Sequence, residues 1–238
     1  MQRFTTIFVI AACLLGGQVW ARVALGIKGG LSAANVSVSR WEGKPLQTKY
    51  GMAAGLIVEI PTANRYITVR CEGMYVQKGA REKDSYDEQY YDGSIYHSEW
   101  DQKGMIDEIV LAPFFVVRVP TQSVTPFFEI GPEIGFNTRR DIVWTSSHRI
   151  TGEYPESESR SGTDRMYFWD KTNLGLNLGV GMAVPSGKGE MILDLRYNIG
   201  LKDMNTTSPS DYYGDEHITA TTHAVQLLIG YNFSVPIY

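Results

Sequence analysis

The chain has 238 residues, with 22 Lys and Arg against 26 Asp and Glu, for a formal net charge of −4. That balance carries no basic stripe, so a nucleic-acid partner is excluded. With only Cys13 and Cys71 there is no cysteine-based zinc site and no disulfide framework, and the length suits one domain.

The N-terminus reads as an export signal. Arg3 gives a positive start, residues 4–17 are apolar apart from Thr5 and Thr6, and Val19-Trp20-Ala21 is a small-x-Ala cleavage site. The expected division is therefore a signal peptide over 1–21 and a mature domain over 22–238. The apolar run is short for a spanning helix. Ile10-Ala11-Ala12-Cys13 also resembles a lipoprotein box, but position 13 is early for one. Cleavage would remove Arg3 and no acid, and would leave Cys71 alone. No later run reaches the ~18 apolar residues of a spanning helix. A membrane-inserted chain would then have to be a closed β-barrel.

Eight segments alternate apolar and polar residues with period two, the mark of a strand with one apolar face. In chain order their apolar series run Val23–Leu31, Tyr50–Ile60, Ile67–Tyr75, Ile109–Val119, Val124–Phe136, Leu174–Val184, Met191–Leu201 and Val225–Val235. Three connections are tight turns: Pro61–Arg65, Pro120–Ser123 and Pro185–Gly189. The other four, about 39–48, 79–103, 138–168 and 203–220, read as long loops. Short turns on one rim and long loops on the other is the layout of an outer-membrane barrel. The expected fold is all-β, an eight-stranded antiparallel up-and-down transmembrane β-barrel, with short periplasmic turns and long extracellular loops.

The opposite face of the strands carries Lys28, Arg70, Arg118, Arg196 and Lys202 with Glu59, Glu72, Glu108, Glu129, Glu133 and Asp194. It also holds eleven glycines, against only Gly29 and Gly73 on the apolar face. An eight-stranded bore is just wide enough for side chains to fill. Small residues beside paired ions would fill it, and buried ions must pair. In the alternative, a soluble lipocalin-like barrel, the apolar face would point inward. The exposed glycines and the lopsided loops then have no explanation. Two residues break the pattern. Asp107 falls on the lipid phase near a strand start, and Ile192 falls on the polar phase beside a turn.

The segments GIKGGLSAAN (26–35), TPFFEIGPEIGF (125–136), LGLNLGVGMAVP (174–185), LDLRYNIGLKDM (193–204) and LLIGYNF (227–233) resemble the PorT-like outer-membrane β-barrel proteins of Gram-negative bacteria. The resemblance implies an eight-stranded barrel; a founding member of that family takes part in protein secretion by the type IX pathway, while most relatives have no assigned role. The resemblance implies no catalytic residue and no cofactor. The last strand is also similar to the signal read by the barrel-assembly machinery, with Gly230, Phe233 and Val235, although Leu228 stands where a polar residue is usual. The expected partners are outer-membrane lipid and lipopolysaccharide, the assembly machinery, and secretion or envelope proteins.

Sites of chemistry are sparse. Glu129 and Glu133 lie four apart on one face, as an acid–base pair would, but pairing with Arg70, Arg118 or Arg196 is the simpler reading. His97-Ser98 and Ser146-Ser147-His148 suggest a nucleophile and base without a positioned acid. No enzyme is expected; a narrow solute channel is the alternative, and a small outer-membrane lipid-modifying enzyme the lesser one. Segment 80–103 holds seven acids against three bases together with Tyr86, Tyr90, Tyr91, Tyr96 and Trp100, a candidate contact surface. Rim aromatics also form the interfacial girdle of such barrels. Its oxygens lack the EF-hand spacing for calcium.

Overall fold

The computed structural model describes residues 23–39, 45–152, 155–206 and 218–235. The expected signal peptide lies outside them. Nine strands follow: β1 Val23–Val38, β2 Gln47–Pro61, β3 Ile67–Gln89, β4 Ile95–Arg118, β5 Thr125–Thr151, β6 Glu156–Arg165, β7 Thr172–Ser186, β8 Gly189–Gly200 and β9 Ala220–Val235. Eight of them close a ring in the order β1-β2-β3-β4-β5-β7-β8-β9, every pair antiparallel, with β9 returning to β1. The sixth, β6, pairs only with the upper half of β5.

Side-chain period explains the closure. Along β8, Met191, Leu193, Leu195 and Tyr197 are exposed while Ile192, Asp194, Arg196 and Asn198 are buried. The same alternation runs through β2, β7 and β9. Leu31, Leu56 and Ile229 are about 60% exposed, so the outer wall is a continuous apolar band. A band of that extent requires a hydrocarbon surrounding. The ring removes every edge within it, since β1 meets β9 over the full length of both strands.

One rim carries short connections. Residues 62–66 are pinned by Thr62, whose hydroxyl donates to the Ile67 carbonyl at 2.8 Å. Gly187 and Lys188 alone join β7 to β8, with Gly187 at φ +60°, a left-handed position that suits glycine.

Two of the expected long loops are not loops. Pairing of β3 with β4 continues unbroken from Ile67↔Val117 to Gln89↔Ile95, and β4 with β5 up to Ile95↔Thr151. With β6 these extensions form a four-stranded antiparallel sheet standing above the ring. Both of its faces are polar or mixed, so the sequence shows no apolar alternation there. Its tip is the turn 90–94, where Asp92 accepts from the Ser94 amide at 2.9 Å and hydroxyl at 2.6 Å.

A β-bulge marks the base of this sheet. Asp107 faces Arg139 and Glu108 faces Asn137, so Thr138 is extra on β5, and its hydroxyl donates to the Asp107 carbonyl at 3.0 Å. The extra residue reverses the parity of β5 and turns Arg140 inward. Asp107, expected to meet lipid, is only 5% exposed, beneath neighbouring polar side chains at the rim.

Candidate functional site

The interior is packed in layers. Nearest the short turns, Glu59 takes Arg118 at 2.5 Å, Arg70 at 3.0 Å and the Asn232 amide at 3.1 Å, while Arg118 also meets Glu190 at 2.9 Å. Above it Arg70 meets Glu129 at 2.5 Å, and Arg196 bridges Glu72 at 2.8 Å, Glu129 at 2.8 Å and Asp194 at 2.6 Å. Lys28 joins Glu72 at 2.6 Å and Asp194 at 2.7 Å. Next comes Lys78, at 2.7 Å from Glu133 and 2.8 Å from Glu108. Asn177 and Asn173 donate to the second oxygen of Glu133 and to Glu108, at 2.9 and 3.0 Å. Ten of the eleven lumen charges named from the sequence thus form linked clusters within the ring. Lys202 stands apart near the long-connection rim, half-buried and bonded to Asp170 at 2.7 Å and the Thr172 hydroxyl at 2.7 Å.

The structure adds residues the sequence reading passed over. Lys78 is fully buried and is the cation for Glu133, in place of the arginines expected there. Its strand was expected to end near position 78, which hid its role. The carboxylates Glu72, Glu129 and Asp194 converge closely enough to hold a metal ion, but Lys28, Arg70 and Arg196 already contact them. The spacing of Glu129 and Glu133 as acid and base therefore gives way to ion pairing, the simpler of the two readings.

One sector of the bore is apolar. Val110, Ala112, Phe114 and Val116 of β4 point inward and pack with Ile57, Met74, Phe127, Ile192 and Leu228. Ile192, which broke the expected pattern, belongs to this cluster. The Arg196 guanidinium carbon lies 4.6 Å from the Phe114 ring centroid and that of Arg70 lies 4.9 Å from Phe127, so the ionic and apolar sectors meet through cation–π contacts. At the long-connection mouth, Met166 and Trp169, leading out of β6, and Met204, leading out of β8, form a second apolar cluster over Ile106 and Ala220. Arg140 donates to the Trp169 carbonyl, and the Asp170 amide donates to the Met204 carbonyl at 2.8 Å, tying this lid to the wall.

The standing sheet has two unlike faces. The one continuing the outer wall is laced by Arg81–Asp101 at 2.5 Å, Lys83–Glu99 at 2.5 Å, Arg139–Asp141 at 2.8 Å and a His97–Asp87 contact. Hydrogen bonding to Arg81 and to Lys83 holds the Asp101 and Glu99 carboxyls below their ordinary range. Depressed values mean that this ladder contributes fully above the ordinary carboxylate range and is lost only as pH falls through the lowered values. The face continuing the lumen carries Tyr86, Tyr96, Trp100, Trp144 and His148, with Tyr90 beside it at the tip. Trp100 stacks on Trp144 at 5.8 Å and 4°, and Tyr96 on His148 at 5.6 Å and 16°. The Trp144 indole lies across Gly162, where a Cβ would come within 2.7 Å of it, and donates to Asp164 at 2.7 Å. Of the expected contact surface, Tyr86, Tyr96 and Trp100 share this face, Tyr90 adjoins it and Tyr91 projects from the tip, fully exposed.

The Ser–His pairs resolve differently. His97 lies on the opposite face with Asp87. His148 is met at Nδ1 by the Tyr96 and Ser98 hydroxyls at 2.6 and 3.1 Å, and at Nε2 by the Ser146 hydroxyl at 3.1 Å. Both ring nitrogens are engaged by hydroxyls, whereas a triad base needs a carboxylate on one of them.

An antiparallel ring of eight strands, apolar outside and ionic inside, with its ladder closed, defines a membrane-spanning β-barrel. The family model described as outer membrane protein beta-barrel domain matches residues 12–205, and the chain belongs to that family. Its place is the outer membrane. Solved structures it is similar to include Ail, the attachment invasion locus protein of Yersinia pestis, in complex with the heparin analogue sucrose octasulfate. That pair shares 15% identity over 89% of this chain and 99% of the other, with a TM-score of 0.35. Neisserial surface protein A is similar at 14% identity, over 89% of this chain and 99% of that one, with a TM-score of 0.40. No curated protein matches the chain significantly.

The outer face predicts a sharp response to charge. Leu195 sits mid-strand on β8, between Val180 and Leu227. Leu195→Arg is expected to lower stability in lipid vesicles by about 2–4 kcal/mol, the midplane cost of a lipid-facing arginine. The shift of the urea midpoint on refolding into vesicles measures it.

Proposed function

We propose that this protein is a closed, non-enzymatic barrel, exported through its N-terminal signal, that acts by binding through the extracellular sheet of β3–β6. The observation that carries this reading is the sealed interior. Salt-bridged carboxylates and an apolar cluster fill the bore side by side, and the Met166–Trp169–Met204 lid lies over its long-connection mouth. The sheet, in contrast, stands free of the bilayer and presents aromatic side chains. Within the family, the strand motifs support a PorT-like member, and a subunit of a secretion or envelope assembly is the kind of partner that reading favours.

Conductance separates this from a solute channel. In planar bilayers the intact protein is expected to carry no steady current. Trp169→Ala with Met204→Ala removes the lid but leaves the Lys78–Glu133–Glu108 level, so that variant is expected to stay closed as well. A steady open current from the unaltered protein would overturn the proposal.

A further inference from the structure

Only one side of β6 is used. The Met166 amide donates to the Arg140 carbonyl at 2.9 Å, and the pairs from Arg165↔Asp141 to Glu156↔Ile150 run on from that bond without a shift. Hydrogen-bonded pairs alternate along an antiparallel ladder, so the even-numbered residues of β6 bond to β5. Ser157, Ser159, Ser161 and Thr163 therefore turn their N–H and C=O groups the other way. Among the described residues nothing bonds to those groups, and no strand lies beyond β6. Nearly the whole strand is exposed, and it stands above the ring, clear of the bilayer.

Open edges are ordinarily guarded by proline, lysine, a bulge or a cover. The other free edge of this sheet is guarded. There the Tyr90 amide donates to the Ser94 carbonyl at 2.9 Å, and the same parity turns the backbone of Lys83, Ser85 and Asp87 away from β4. Lys83 stands on that edge, and Asp84 Oδ1 accepts from the Ser85 amide at 2.7 Å. Over Glu156–Arg165, β6 has no proline, no lysine and no bulge.

We infer that β6 is a docking edge for an extended segment of another polypeptide, which joins the sheet as a fifth strand; the inference rests on the reading of the sheet as the binding part of a closed barrel. A row of donors and acceptors at strand spacing is matched by a second extended backbone, not by a sugar or a headgroup. The side chains of Ser157, Ser159, Ser161 and Thr163 are short hydroxyls that leave the approach open and suit threonine on the facing strand. Glu158, Arg160 and Asp164 point to the other face, where Arg160 holds Glu158 at 2.6 Å and Asp164 holds the Trp144 indole at 2.7 Å. A second copy is the poorer occupant. Two barrels in one membrane stand the same way up, so a two-fold pair of β6 strands would run parallel. Glu158, Arg160 and Asp164 would then each lie beside its own counterpart, and like charges so placed destabilise a pair.

The test uses the full chain in zwitterionic lipid nanodiscs and a fluorescent peptide of alternating Thr and Val, capped with Lys for solubility. Anisotropy is expected to show binding, and isotope-labelled peptide carbonyls are expected to shift to the strand amide band. Ser159→Pro with Thr163→Pro removes two free N–H groups and spares the ladder to β5, a change that an edge strand tolerates. It is expected to weaken binding at least about fivefold. Ser159→Ala with Thr163→Ala keeps those N–H groups and is expected to recover most of that loss. Ser85→Pro makes the same change on the guarded edge and is expected to leave binding unchanged. Circular dichroism of the stacked Trp100–Trp144 pair confirms in each variant that the sheet is assembled. If the peptide does not bind, if the β6 proline pair binds it as tightly as the parent, or if the alanine pair binds as weakly as the proline pair, the backbone edge is not the site and the inference fails. If Ser161→Cys in a Cys71→Ser background crosslinks two copies in lipid vesicles, the edge belongs to a second copy and the inference fails as well. Each of these outcomes leaves the closed barrel standing, whereas an open current in the conductance measurement removes that reading by itself.

Discussion

Arg70→Met is expected to destabilise the folded barrel by about 3–5 kcal/mol, the range for removing one partner from a buried ion network. Arg70 is fully buried on β3 and reaches Glu59 at 3.0 Å and Glu129 at 2.5 Å. Apart from Glu190 at the rim, the ion-paired bore holds five cations, Lys28, Arg70, Lys78, Arg118 and Arg196, against six carboxylates. Taking away one cation leaves four against six in a region with little water to screen them. Neither carboxylate is wholly abandoned, because Glu59 keeps Arg118 at 2.5 Å and Glu129 keeps Arg196 at 2.8 Å. That sharing makes the effect non-additive. Arg70→Met with Glu129→Gln should be less destabilised than the sum of the two single changes, by at least about 1 kcal/mol. Arg70→Lys retains the charge, cannot span both carboxylates with one planar fork, and should fall between parent and Met variant. Urea titration in lipid vesicles reads all five proteins, the Glu129→Gln single variant included. Equal stability of the Met variant and the parent would mean that the ions are not a stabilising lattice and that the bore is wet.

How much of this was legible in the sequence depends on whether a strand's two faces differ. Along β8 and β9 hydrocarbon alternates with polar or small residues, and both the strand and its orientation follow from period two. On β4 the run Ile109-Val110-Leu111-Ala112, continuing to Val117, is apolar on both faces, so its inward half gives no signal. The apolar sector of the lumen was missed for that reason. Counting charges found the ions but not Asn173, Asn177, Asn198 and Asn232, which are neutral, buried and complete the network. In the standing sheet both faces carry ionic or hydroxyl groups, so strand there has the sequence pattern of a loop. The acids and rings of 80–103 were nonetheless visible as a candidate surface. Their partners Trp144 and His148 come from a segment more than forty residues away, and only pairing brings them together. The run Met166-Tyr167-Phe168-Trp169 was the one trace of the lid, a short apolar stretch inside a polar connection. The bulge at Thr138 had no trace, because one extra residue in a polar region changes no pattern.

Gly30→Ala is expected to impair barrel closure, while Gly73→Ala is expected to be neutral or mildly stabilising. Neither glycine has a left-handed backbone, so conformational strain does not separate them; space does. A Cβ on Gly30 would lie 2.0 Å from the Leu227 carbonyl oxygen and 2.9 Å from the Leu228 Cα. Those atoms are backbone of β9, and they cannot move without parting the seam at which the first and last strands join. Overpacking of this kind typically costs about 1–3 kcal/mol, and more where backbone must shift. At Gly73, on the lipid face of β3, the added carbon would meet only a Leu111 methyl at 3.8 Å. There the loss of unfolded-chain freedom dominates, worth about 0.4–1 kcal/mol in favour of the folded state. The midpoints of urea unfolding in vesicles should therefore move in opposite directions for the same chemical change. A glycine that tolerates alanine on the inner face and rejects it on the outer would reverse the inside and outside of this wall. The assignment of the ion network to a closed bore would fall with it.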